Sequence, residues 1–119
     1  MIQNITTFQI KQKDTLPALQ INVKTRGYLD SIVPFNLSAV TACTFSMMDS
    51  CGSLQISSVS AVISSISGGT IQYNWIDGDT DNTGVYKAEF ELTFSGGTKI
   101  TIPTIGTIDV YILSSINGA

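Results

Sequence analysis

Apolar side chains recur at every second residue along most of this chain, and that rhythm leaves few folds open. Leu19, Ile21 and Val23 alternate with Gln20, Asn22 and Lys24, and Ile71, Tyr73 and Trp75 alternate with Gln72 and Asn74. The longest run sets Tyr86, Ala88, Phe90, Leu92 and Phe94 against Lys87, Glu89, Glu91 and Thr93. Ile108, Val110 and Ile112 repeat the pattern against Asp109 and Tyr111. Successive side chains of a strand point to opposite faces, so this period places one face in a core and the other in water. That is the behaviour of antiparallel sheets. Turn-forming residues separate the runs: Asp14 to Pro17, Arg26-Gly27, Asp49 to Gly52, Gly68-Gly69, Asp77 to Gly84, Ser95 to Gly97 and Pro103 to Gly106.

The runs amount to about seven or eight strands at regular spacing, which predicts an all-β fold, an Ig-like antiparallel β-sandwich. A length of 119 residues suits a single domain spanning 1–119, with its core over about 8–113 and short terminal tails. The segment from Leu54 to Ile66 fits neither a two-residue nor a helical period. Its Ser and β-branched residues favour strand and loop over helix.

Composition excludes several kinds of work. The chain has no His, which removes a His general base and with it Ser-His-Asp and Cys-His chemistry. Charged residues make up 13% of the chain, against about 25% in ordinary soluble domains. Neutral hydroxyls carry the polarity instead, since 28 residues are Ser or Thr. The formal charge of -3 and the scatter of Lys11, Lys13, Lys24, Arg26, Lys87 and Lys99 argue against a nucleic-acid partner. The uncharged stretch Ser50 to Ile76 is too broken by Ser, Gln, Asn and Gly to span a membrane. The opening Met1-Ile2-Gln3-Asn4 lacks the basic start of a secretory leader. Cys43 alternates with Phe45 and Met47 and reads as a small buried apolar side chain, whereas Cys51 falls at a turn, so no disulfide is expected between them.

Two segments could carry chemistry. Asp77, Asp79 and Asp81 stand at alternate positions, like the opening of a calcium loop. Asn82 stands where that loop needs Gly, however, and Ala88 where it needs a bidentate Glu. A wide turn with Asp and Asn capping backbone N–H groups is the expected reading, and the three carboxylates are only weak metal candidates. Glu89 and Glu91 share one strand face and point to water, which makes them a poor acid–base pair. Gly84-Val85-Tyr86 opens the best strand directly after the Asp-rich turn. A Tyr there can fold its hydroxyl back onto the turn, the tyrosine corner of Ig-like sandwiches. Trp75 is expected in the core, with a partner for its N–H.

Several short motifs follow one another in a recognisable order. Lys13-Asp14-Thr15-Leu16-Pro17-Ala18-Leu19 comes first, then Leu37 and the strand with Phe45 and Met47. Tyr73, Trp75, Asp79-Thr80, Gly84, Tyr86 and Glu89-Phe90-Glu91-Leu92-Thr93-Phe94 follow, and Pro103 with Gly106-Thr107-Ile108-Asp109-Val110 completes the set. In this order the chain resembles the N-terminal domain of phage baseplate upper proteins, an Ig-like module of tailed-phage virion proteins, over about residues 8 to 113. The family usually carries Gly where this chain has Lys13, and its module often heads a longer tail or fibre protein. The resemblance implies a structural, non-enzymatic virion protein with no catalytic residues and no cofactor, with Asp14, Pro17, Trp75, Gly84 and Tyr86 in architectural roles. It implies other phage structural proteins as partners, in a homo-oligomer or symmetric assembly within the virion, put together in the host cytoplasm. Tail, baseplate and head surface are all open as its location. Two other readings remain: a capsid decoration or host- or glycan-binding module using Trp75, Tyr28 or Tyr111, and a hydrolase using Asp77, Asp79 or Asp81 with a metal.

Overall fold

The computed structural model describes residues 2–3, 7–26, 32–103 and 106–116. It is all-β. The strands are β1 (Ile2–Gln3), β2 (Thr7–Lys11), β3 (Leu19–Arg26), β4 (Ile32–Pro34), β5 (Val40–Met48), β6 (Leu54–Ser60), β7 (Val62–Ser65), β8 (Thr70–Tyr73), β9 (Gly84–Phe94), β10 (Lys99–Ile102) and β11 (Ile108–Leu113). One sheet runs β1-β3-β8-β7, with β4 also on β3; the other runs β2-β11-β9-β5-β6, with β10 also on β9. The two sheets form a sandwich, as the alternation requires.

The described residues form eleven strands where seven or eight were expected, for reasons visible in the pairing. β6 and β7 are parted only by Ala61, yet they belong to opposite sheets. β1 and β2 are divided between the sheets in the same way. β9 is the long central strand: β5 pairs along it, while β11 pairs with its first half and β10 with its second. One pairing departs from the antiparallel expectation. β2 lies parallel to β11, in register from Thr7 opposite Asp109 to Lys11 opposite Leu113.

The alternating positions fill the space between the sheets. Leu19, Ile21, Val23, Ile71, Phe45, Phe90, Leu92, Ile108 and Val110 are essentially inaccessible to water. Across the sandwich Phe45 stacks on Tyr73 with centroids 4.3 Å apart, and it meets Phe90 and Trp75 edge-on at 5.0 and 5.8 Å. Such aromatic pairs add about 0.5–1.5 kcal/mol each beyond the area they bury. At the opposite end Phe35 meets Phe94 edge-on at 6.1 Å. Cys43 is buried and Cys51 exposed, and both are free thiols.

Gly69 is where the backbone of the first sheet is most crowded. Its φ is +71°, its carbonyl accepts from Val23 N, and Val23 O in turn accepts from Phe35 N. A Cβ at Gly69 would fall 2.5 Å from Val23 O and 2.7 Å from Phe35 O. Only a residue without a side chain lets these three segments converge.

Candidate functional site

The chain's most polar residues converge at one end of the sandwich, where the loop after β2 meets the loop before β9. The turn that β2 runs into puts Lys13 at φ 67°, the left-handed region. The Lys13 N–H donates to Thr80 O at 2.9 Å, and the Thr80 hydroxyl donates back to Asp14 O at 2.8 Å. Thr80 is only 1% exposed, so the bond to Asp14 O satisfies a hydroxyl that could not otherwise be buried cheaply. Gln12 Nε2 reaches Asp81 O at 2.8 Å. Pro17, whose peptide bond to Leu16 is cis, belongs to the same loop.

Asp79 works within its own loop. Its Oδ2 accepts from the Tyr73 hydroxyl at 2.6 Å and from Ile76 N at 3.0 Å, and its N–H donates to Ile76 O. Burial, then the bond to Asp79 and its charge, push the Tyr73 phenol well above its ordinary value. Tyr86 donates to Asn82 O at 2.8 Å, bending back across the turn that Gly84 closes. Gly84 itself has φ +149°, a conformation that side chains rarely adopt. Burial, followed by the charge of Asp49, raises the Tyr86 phenol too. Asp49 caps a neighbouring turn by accepting from Cys51 N and Ser53 N, both at 2.9 Å.

Asp77, Asp79 and Asp81 do not gather around a common point. Among the described residues no group of three or more His, Cys, Asp or Glu side chains is placed to hold a metal ion. Trp75 is 4% exposed and packs on Phe8, Phe45 and Tyr73, which takes its ring away from any ligand in solution. The expected partner for its N–H is missing: Trp75 Nε1 is buried with no hydrogen bond among the described residues. Tyr111 is half-buried on the outer side of β11, and Tyr28 lies outside the described residues. Glu91 faces Lys99 at 3.7 Å, and Lys87 faces Asp109 at 3.3 Å, both in solvent where such pairs contribute little.

Compared with protein-family models and with curated proteins, the chain gives no match. Among solved structures it is similar to CopC from Methylosinus trichosporium OB3b, with a TM-score of 0.51 and 12% identity over 92% of this chain and 85% of that one. That likeness shows the fold alone.

Sequence reasoning missed two residues here. Thr80 was one member of a motif without a role of its own, and its partner Asp14 lies 66 residues away. The Asp49 cap had a local signal, an Asp leading into Ser50-Cys51-Gly52, that marked a turn without saying which groups it would satisfy.

Proposed function

We propose that the chain is a non-catalytic structural protein of a tailed-phage particle, an Ig-like module that docks onto other virion proteins. One observation carries the reading: residues that bear the resemblance bond together as architecture, Asp14 and Thr80 across 66 residues of sequence and the others locally. Asp14 with Thr80, Asp79 with Tyr73, and Tyr86 at the turn closed by Gly84 hold one end of the sandwich in shape. These bonds end on the backbone oxygens of Asp14 and Asn82 and on a single carboxylate oxygen of Asp79, so they shape the loops they join. A hydroxyl-rich surface with few charges also suits contact with neighbouring subunits, because interface cores are depleted in charge.

Particle proteomics and reconstruction test this. Purified virions of the phage that encodes the chain are expected to contain it in fixed stoichiometry, with density for the sandwich at symmetry-related positions. Absence from purified particles overturns the proposal. Burial of Trp75 removes the aromatic side chain best suited to stacking on a sugar, so the glycan-binding reading gains no support from it.

A further inference from the structure

The aromatic cluster holds two polar groups with opposite provision for a proton. Trp75 is the chain's one tryptophan. Its ring is buried against Phe8, Phe45 and Tyr73, with centroids 5.9, 5.8 and 5.2 Å away. Of these three neighbours only Tyr73 is a phenol, and it meets Trp75 edge-on. The indole N–H can only donate, and Trp75 Nε1 has no acceptor among the described residues. The buried Tyr73 hydroxyl has a carboxylate instead. It donates to Asp79 Oδ2 at 2.6 Å, a charge-assisted bond. Asp79 is half-buried in the loop that follows β8.

This asymmetry decides where an oxidised ring comes to rest. Loss of one electron turns an indole into a radical cation, which sheds its charge by releasing the N–H proton. Trp75 has nothing to receive that proton, so the positive charge stays among apolar side chains, where an unpaired charge is costly. Electron loss makes a phenol strongly acidic, and Asp79 already holds the Tyr73 O–H in a hydrogen bond. Electron loss from Tyr73 and proton transfer to Asp79 can therefore occur together, leaving no charge on either ring.

We propose that Trp75, Tyr73 and Asp79 form a one-electron relay, in which an oxidising equivalent that arises on Trp75 passes to Tyr73 as the Tyr73 proton moves to Asp79. When Trp75 absorbs ultraviolet light, dissolved oxygen takes up the ejected electron and becomes superoxide, leaving the Trp75 radical cation. Tyr73 returns one electron to that ring, which becomes neutral Trp75 again, and gives its phenolic proton to Asp79 Oδ2. The products are a neutral tyrosyl radical and a protonated Asp79. The relay spares the indole an oxidation that would open its ring inside the core. It is a property of the folded chain and does not depend on the virion reading.

Laser flash photolysis of the full chain in air-saturated buffer tests it. Light at the red edge of indole absorption, where phenols do not absorb, starts the reaction at Trp75 alone. The Trp75 radical is expected to decay as a tyrosyl radical rises, at one rate that is independent of protein concentration and slower in D2O. Asp79→Asn should slow the transfer by about tenfold or more, the scale of a lost proton acceptor. Tyr73→Phe should abolish the tyrosyl signal and raise ring-opened Trp75 products in mass spectra after steady ultraviolet exposure. Tyr111→Phe should leave the rate unchanged, and circular dichroism checks that each variant is folded. A tyrosyl signal that persists in Tyr73→Phe, or a rate unaltered in folded Asp79→Asn, overturns the proposal. The wild type decides alone if those variants do not fold: a Trp75 radical that decays with no tyrosyl rise, or at equal rates in H2O and D2O, overturns it as well.

Discussion

Lys13 shows what a single backbone angle costs. A non-glycine residue in the left-handed region carries a penalty of about 1–2 kcal/mol, and here the turn holds it because Lys13 N–H and Asp14 O are both engaged by Thr80. Lys13→Gly should therefore raise stability by up to about 1 kcal/mol, less than the full penalty because glycine loses more freedom on folding. Thermal melts check the sign; a lower midpoint would show that the angle is not a source of strain. Tyr86→Phe removes one hydrogen bond to Asn82 O and leaves that carbonyl to the exposed loop, so a loss of about 1 kcal/mol is expected. Equal midpoints for wild type and variant would show that the bond contributes nothing. The position of Tyr86 was legible because a Gly and an Asp-rich turn precede it. The bond between Thr80 and Asp14 was not, since no local pattern encodes a partner in a distant loop.

Among the elements, legibility followed the number of neighbours. β3, β8, β9 and β11 have strands on both sides and one face in the core, so their alternation is clean and their buried residues could be read directly. β6 and β7 are edges that bulge and change sheet at Ala61, so Ile56 is buried while most of their other residues are exposed. No single period describes such a path. The parallel pairing of β2 with β11 was illegible for a related reason: alternation records which face is buried and carries no strand direction. Gly69 gives a test at this scale. Gly69→Ala would press a Cβ into two backbone carbonyls that cannot swing aside as a side chain could, at a φ that alanine disfavours. A loss of more than about 2 kcal/mol in chemical denaturation is expected. A near-neutral result would mean that β3, β4 and β8 can move apart locally.

The molecule as a whole should be vulnerable to alkali. Cys43 is pushed by burial from 9.0 up to about 11, and Tyr73 and Tyr86 are both held above their ordinary value of 10.0. In each case the folded state keeps a proton that the unfolded chain releases, so stability falls as pH rises. The contribution of Cys43 is complete below about pH 9 and is lost between there and about pH 11; the tyrosines act from about pH 10 upward. Denaturant midpoints from pH 7 to 11 should be flat at first and then decline. Cys43→Ala should make the decline shallower between pH 9 and 11, and an unaltered slope would remove the thiol from the account.

The parallel alignment of β2 and β11 has a mechanical consequence. Tension between the two ends of the chain would first peel the two-residue β1 from β3, and would then reach β2 at its start and β11 at its finish. Because these neighbours run the same way, the pull slides one lengthwise past the other. Their five registered pairs are loaded together instead of opening one after another. A domain tethered at both ends in this way resists stretching as a lap joint does, through the summed strength of bonds that must fail at once.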